Sequence, residues 1–164
     1  MEFEHIVATM NCCGCEFLLI GGFNFSLRHR PYTTLDVDFW IKDTKENRDC
    51  CELALVALDA EWGATEDEWG HVKRIPAGWL AAQHVFSLLT PHGPVDIFRS
   101  VAGLGTWEES AARAYDGNCK DGTAYRGLSD EDMLRSQLAL SEGERKFDRI
   151  RVLENALRQS EQQS

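Results

Sequence analysis

The chain has 164 residues, of which 43% are hydrophobic and 27% charged, as is typical of a globular protein with its own core. Its formal net charge of −10 argues against non-specific binding to nucleic acid, which requires a basic surface. No apolar run is long enough to cross a bilayer, and no signal-like segment opens the chain. We therefore expect one domain over residues 1–158, a polar tail over 159–164, a cytoplasmic location and no membrane partner.

The spacing of apolar residues predicts the elements of the first half of the chain. In order, they are a helix over 2–13, a strand over 17–20, a short helix over 23–27, a strand over 35–41 and a helix over 44–58. Gly14 is a plausible stop for the first helix, and Thr44 a plausible N-cap for the third. Gly21-Gly22 separates the first strand from the short helix.

The second half begins with a stretch over 59–76, acidic and rich in Trp and Gly, for which no element is predicted. It is followed by strands over 85–89 and 95–98 joined by a tight turn, and by helices over 107–114, 129–140 and 145–158. Ser129 is predicted to cap the second of these helices, and residues 159–164 to fray. The predicted fold class is α/β, more specifically α+β: a small, mixed, twisted sheet with helices mainly on one face and at the end.

The six cysteines show no pattern of a zinc site. Cys12 and Cys15 form a C-x-x-C, but the adjacent Cys50 and Cys51 lack the spacing of a second ligand pair. We therefore predict that all the cysteines are reduced and structural.

Three aspartates stand out because they lie in predicted strands among Val, Ile, Phe and Trp. Asp36 and Asp38 are two residues apart on one strand, and Asp96 lies on another. Residues two apart on a strand point to the same face, about 6–7 Å from each other. Like charges held this close need a cation between them or a proton on one of them. Oxygen ligands favour Mg²⁺ or Mn²⁺, so the sequence predicts a metal site that handles phosphates.

Two segments carry a resemblance to a known family: the apolar run over 17–20 that ends in Gly21-Gly22, and Thr34-Leu35-Asp36-Val37-Asp38. Together they resemble the nucleotidyltransferases of the DNA polymerase β superfamily. Within it, the chain is most similar to the small single-domain members, which include abortive-infection type II toxins and lincosamide nucleotidyltransferases. The resemblance covers residues 1–100 well. It implies a polymerase-β-like minimal nucleotidyltransferase fold and transfer of a nucleoside monophosphate from a nucleoside triphosphate to an acceptor hydroxyl.

The resemblance also implies roles for individual residues. Asp36 and Asp38 would bridge two Mg²⁺ or Mn²⁺ ions, and Asp96 would complete one ion's coordination and help to remove the acceptor's proton. Gly21 and Gly22 would let the backbone approach the phosphates at a helix start. The candidates for further contacts to the triphosphate are Arg28, Arg30 and Lys146.

Two positions depart from the family's pattern. Tyr32 stands where small members usually have an arginine before the aspartate pair, and Gln137 stands where toxin-like members frequently have a lysine. The alternative function is therefore a catalytically degenerate domain that acts as a binding module, with an antitoxin-like protein as its partner.

The resemblance leaves the acceptor open between a small molecule and an RNA end. Arg145 and Arg149 could form a basic stripe on the last helix, but neighbouring acidic residues dilute it. We therefore predict a compact acceptor pocket, lined in part by the Trp-rich stretch from Trp62 to Trp79.

Overall fold

A computed structural model describes residues 2–163, which form a mixed sheet with helices on both faces. Six helices and eight strands follow in chain order: α1 Phe3–Cys12, β1 Phe17–Ile20, α2 Gly21–Arg28, β2 Val37–Ile41, α3 Lys45–Ala57, β3 Glu61–Trp62, β4 Gly70–His71, β5 Val85–Thr90, β6 Gly93–Phe98, α4 Trp107–Ala112, β7 Tyr115–Asn118, β8 Ala124–Gly127, α5 Asp130–Leu138 and α6 Phe147–Gln163. The strands are arranged in the order β4-β3-β5-β6-β2-β1-β8-β7. None of the helices in the described part of the chain is long and apolar enough to span a membrane.

The centre of the sheet contains the four strands that the sequence predicts. β2 pairs antiparallel with β1 and parallel with β6, and β6 forms an antiparallel hairpin with β5. β2 begins at Val37 instead of Leu35, so Asp36 lies just before the strand and only Asp38 lies within it. Because β2 is paired with β1 on one side and β6 on the other, the position of Asp38 along the sheet is fixed.

The core has two parts because side chains of a strand alternate between the faces of the sheet. Phe17 and Leu19 of β1 pack on one face with α1 and α3, whereas Leu18 and Ile20 pack on the other with α4, α5 and α6. The prediction of helices mainly on one face is therefore wrong. The error has a simple cause, since β1 is apolar at all four positions and its pattern does not show which face is covered.

Several helices begin where the sequence predicts. The Thr44 hydroxyl accepts a hydrogen bond from the Asn47 N–H of α3 at 3.2 Å, and the Ser129 hydroxyl accepts one from the Asp132 N–H of α5 at 3.1 Å. α4 ends at Ala112, two residues earlier than predicted. α6 starts at Phe147, two residues later than predicted, and continues to Gln163, so residues 159–163 form its last part.

Four strands have no counterpart in the sequence prediction. β3 and β4 are two residues long and lie in the unassigned stretch, and β7 and β8 form a largely exposed hairpin after α4. The Trp-rich stretch contributes to the core. Trp62 and Trp79 stack on each other at 5.5 Å, and both contact the ring of Phe86.

All six cysteines are free, as predicted. Cys15, Cys51 and Cys119 are buried, Cys13 and Cys50 are half-buried, and Cys12 is exposed.

Candidate active site

The three aspartates meet at one edge of the central strands. The parallel register of β2 and β6 places Asp38 directly beside Asp96, and Asp36 lies at the entry to β2. Each residue offers a carboxylate oxygen within 4.8 Å of those of the other two. Within residues 2–163, this is the only group of three or more His, Cys, Asp or Glu side chains close enough to hold a metal ion.

The cluster is electrostatically strained. Burial, followed by the charges of Asp36 and Asp96, raises the pKa of Asp38 to about 8. Burial also raises the pKa of Asp96, although a hydrogen bond from Ser87 acts in the opposite direction. Oδ1 of Asp38 is buried and has no hydrogen-bond partner in the described chain. A buried oxygen without a donor, surrounded by further carboxylates, fits a divalent cation held by oxygen ligands.

Gly21 allows the backbone to pass close to Asp38. Its φ of +69° lies in the left-handed region, and an added Cβ would stand 2.1 Å from Oδ2 of Asp38. Both the backbone conformation and the available space therefore require glycine here. The sequence predicts a phosphate role for this residue, and the structure adds that it makes room for a carboxylate.

Gly22 lies in the first turn of α2, where the backbone N–H groups are not capped by a side chain. An added Cβ would stand 3.1 Å from the Thr34 hydroxyl oxygen and 3.3 Å from Nη2 of Arg149. Uncapped N–H groups at a helix start attract anions, and a guanidinium beside them strengthens that attraction.

Arg149 is the residue of this site that sequence reasoning missed as a ligand. Its side chain extends from α6 over the rings of Tyr32 and Phe25, at 4.7 and 5.5 Å from their centroids. The residue is only 8% exposed, its Nε has no hydrogen-bond partner, and its guanidinium forms no ion pair within residues 2–163. A buried cation without an anion is costly, so this arginine is poised for an anionic ligand.

Gly21, Gly22, Asp36, Asp38 and Arg149 line one cavity of about 710 Å³, whereas Asp96 is the neighbour of Asp38 on β6 and does not itself line it. The charged part of the lining, which we call the charged end, contains these residues together with Glu144 and Lys146. A second set of lining residues, which we call the apolar wall, consists of Leu35, Val85, Phe98, Val101, Ala102 and Leu140. The cavity thus joins carboxylates, cations and an apolar surface in a space large enough for small-molecule ligands.

The nucleotide contacts expected from sequence are only partly assembled here. Lys146 lines the cavity, and the Gln137 side chain, which also lines it, accepts a hydrogen bond from the Lys146 N–H at 2.9 Å. Gln137 therefore positions the start of α6 instead of supplying a charge. Arg28 and Arg30 do not line the cavity. Arg28 pairs with Asp130 at 3.3 Å and stacks on Tyr115, whereas Arg30 is half exposed.

The Trp-rich stretch does not line the cavity either. Trp62 is 9% exposed and Trp79 is 6% exposed, because both are packed in the core. The predicted acceptor pocket is wrong in this respect, since Trp is as suited to partial burial as to stacking on a ligand.

Comparison with known proteins shows which fold this is. No protein-family model matches the sequence, and no curated protein sequence matches it. Among solved structures, the lincosamide antibiotic adenylyltransferase LnuA, lincomycin-bound, is similar with a TM-score of 0.60 and 15% identity over 94% of this chain and 96% of that one. ANT(2")-Ia in complex with adenylyl-2"-tobramycin is similar with a TM-score of 0.55 and 16% identity, covering 93% of this chain and 85% of that one. The chain therefore has the fold of these nucleotidyltransferases, which confirms the fold expected from the resemblance.

The role of Gly21 gives a first prediction. If the aspartates hold a metal ion, millimolar Mn²⁺ should raise the melting temperature of the parent. We expect Gly21→Ala to displace the Asp38 carboxylate and to abolish that increase. Gly78→Ala is the matched control, because Gly78 also has a left-handed φ of +95° but an added Cβ meets nothing within 4 Å. Both variants should lose about 1–2 kcal/mol of folding free energy through backbone strain. An Mn²⁺ response in Gly21→Ala equal to that in Gly78→Ala would contradict this role.

The raised pKa of Asp38 gives a second prediction, for the metal-free protein in chelator. The folded state keeps a proton on Asp38 up to about pH 8, whereas the unfolded chain loses it near about pH 4. Between these values the folded state binds more protons, so the free energy of unfolding falls as pH rises. The contribution of one group is at most about 1.4 kcal/mol per pH unit.

The measurement is urea unfolding at several pH values between 5 and 8, with each variant compared with the parent. Asp38→Asn should flatten the slope, and Asp67→Asn, a change at an exposed aspartate outside the cluster, should leave it unchanged. A slope in Asp38→Asn equal to that of the parent would show that this carboxyl does not hold the extra proton.

Proposed function

We propose that this protein transfers a nucleoside monophosphate from a nucleoside triphosphate to the hydroxyl group of an acceptor, in a reaction that requires Mg²⁺ or Mn²⁺. The observation that carries the proposal is the pairing of charges in one cavity. Three converging carboxylates, of which Asp36 and Asp38 line the cavity, need a cation, and the buried Arg149, which lines it too, needs an anion. A metal-bound triphosphate supplies both, and the similarity to nucleotidyltransferase folds supports this choice.

The triphosphate would lie between the start of α2 and the start of α6. The uncapped N–H groups after Ile20 would donate hydrogen bonds to phosphate oxygens, and Gly22 leaves the space for their approach. Arg149, whose guanidinium lies beside Gly22, and Lys146 would neutralise the phosphates. In this proposed arrangement the α-phosphate would lie near the aspartates and the leaving pyrophosphate near the two cations.

The aspartates have distinct tasks in this reaction. Asp36, Asp38 and Asp96 would hold the divalent ions, which when bound neutralise charge on the attacking and leaving oxygens. Asp96 would also accept the proton of the acceptor hydroxyl on a carboxylate oxygen. Ser87, directly opposite Asp96 on β5, would keep that carboxylate in its orientation.

The departure at Tyr32 is compatible with catalysis. The guanidinium of Arg149 lies 4.7 Å from the Tyr32 ring, so a positive charge from α6 stands beside the position where related proteins have an arginine. With the aspartate cluster complete, the geometry favours an active enzyme over a degenerate binding module. Neither similar structure concerns a toxin–antitoxin pair, so the proposal contains no antitoxin-like partner.

The third prediction tests metal and nucleotide together. With Mn²⁺ present, the preferred ribonucleoside triphosphate at 100 times its Kd should add about 2.7 kcal/mol of stability, or roughly 5–10 °C in melting temperature for a chain of this size. In Asp36→Asn and Asp96→Asn, most of this increase in melting temperature should be absent. These variants should also fail to transfer label from an α-³²P triphosphate to an acceptor. Asp67→Asn should retain both. A melting temperature that no triphosphate changes in the presence of Mn²⁺ would refute the proposal.

The fourth prediction concerns Arg149. Arg149→Met removes the charge and retains an aliphatic chain, so triphosphate affinity should fall about 10- to 100-fold, as for the loss of hydrogen bonds to a charged group. The stability of the ligand-free protein should not fall, because an unpaired buried charge has been removed. Arg158→Met, on the exposed part of the same helix, is the matched control for both measurements. Unchanged affinity in Arg149→Met would show that the arginine serves the fold alone.

A further inference from the structure

The apolar wall contains side chains that are unusually open to solvent. Leu35 is 71% exposed and Val85 is 42% exposed, and both line the same cavity as Asp36 and Asp38. Leu35 directly precedes Asp36, so an apolar side chain and a carboxylate enter the cavity from adjacent positions. An exposed apolar surface beside a polar site is typical of a ligand-binding region.

The register of β5 and β6 explains how this surface adjoins the carboxylates. Ser87 lies opposite Asp96, and Val85 lies opposite Phe98. Residues two apart on a strand share a face, so these four side chains form a patch on one face of the sheet. Ser87 and Asp96 form a polar row, and Asp96 is the residue proposed to take up the hydroxyl proton. Val85 and Phe98 form an apolar row. A ligand lying on the apolar row would therefore extend directly to Asp96.

We propose that the apolar wall binds the acceptor, and that the acceptor is an uncharged alcohol with a compact apolar body. This inference rests on the proposed function. The hydroxyl group of the acceptor would lie at Asp96, and its apolar part would cover Leu35, Val85 and Phe98. In the transfer step, the hydroxyl oxygen forms a bond to the α-phosphorus, the bond from that phosphorus to the bridging oxygen breaks, pyrophosphate leaves, and the hydroxyl proton moves to Asp96.

The charges of the cavity argue for this acceptor over charged ones. The apolar wall carries no charge, and the cavity's further carboxylate, Glu144, accepts hydrogen bonds from the N–H and the hydroxyl of Ser141. A polycationic amino sugar would need carboxylates along its length. An RNA end would need arginines or lysines for its phosphates. The cations of the cavity, Lys146 and Arg149, lie at its charged end, where the proposed triphosphate binds. The apolar wall therefore offers the acceptor an uncharged surface.

A series of alkyl β-glucosides, from methyl to octyl and below their micelle concentrations, tests the inference. These probes share one uncharged polyhydroxyl group and differ only in the apolar chain. Their affinities would be measured by calorimetry with protein that holds Mn²⁺ and a non-hydrolysable triphosphate, and again with protein free of both. We expect affinity to rise by up to about fourfold for each methylene that the wall covers.

Substitutions of similar shape locate the binding surface. Leu35→Asn and Val85→Thr should each reduce octyl glucoside affinity several-fold, with no change in the affinity for the triphosphate analogue. Neither should prevent folding, because both side chains are substantially exposed. Leu53→Asn is the matched control, because Leu53 is 65% exposed on α3 and does not line this cavity. It should bind like the parent.

The outcomes distinguish a failure of the apolar acceptor site from a failure of the proposed nucleotidyl transfer. Affinity that does not depend on chain length, or that falls equally in Leu53→Asn, would overturn the apolar acceptor site. Tighter binding of tobramycin or of a short single-stranded RNA than of octyl glucoside would overturn it as well. Failure of the triphosphate analogue and Mn²⁺ to bind would refute the proposed function instead, and the glucoside measurements without them would still decide whether the wall binds apolar alcohols.

Discussion

Repulsion among three carboxylates is the interaction on which the account of this site depends. Asp38 is held between β1 and β6 by backbone pairing on both sides, so it cannot move away from Asp96 without breaking the centre of the sheet. Gly21 brings a second segment of backbone against the same carboxylate. A fold that forces like charges together in a partly buried place is destabilised by them unless a proton or a cation intervenes. In the metal-free protein, burial first and then the charges of Asp36 and Asp96 raise the pKa of Asp38.

Arg149, which lines the same cavity, has the complementary problem. It is buried against aromatic rings and forms no ion pair within residues 2–163. The carboxylates and the arginine do not neutralise each other by direct contact, and only a weak attraction links Arg149 to Asp38. A ligand with a metal ion at one end and phosphates at the other would relieve both charges at once. We therefore interpret the strain among these charges as preorganisation for binding.

The sequence predicts the carboxylates and glycines of the site, but not every residue that lines the cavity. Asp38 and Asp96 are recognisable because carboxylates are unusual in apolar strands, and the glycine pair is recognisable as a break between strand and helix. Arg149 is not recognisable in the same way. The face of α6 that enters the cavity is set by packing against α5, which the periodicity of one helix does not reveal.

The outer parts of the sheet were missed for a different reason. β3 and β4 contain only two residues each, too few for an alternating pattern, and their positions depend on pairing with β5 and with each other. β7 is polar and largely exposed, so it lacks the apolar alternation by which strands are recognised. The Trp residues were misassigned because composition shows that they are large and amphipathic, whereas only the fold shows whether core or ligand surrounds them.

Anomalous diffraction from crystals grown with Mn²⁺ and a non-hydrolysable nucleoside triphosphate tests the central claim most directly. The account predicts two manganese peaks about 3.5–4 Å apart, coordinated by Asp36, Asp38 and Asp96. It also predicts that the terminal phosphates contact Arg149 and the start of α2. Manganese bound elsewhere, or a triphosphate outside the cavity with the three carboxylates uncoordinated, would contradict it.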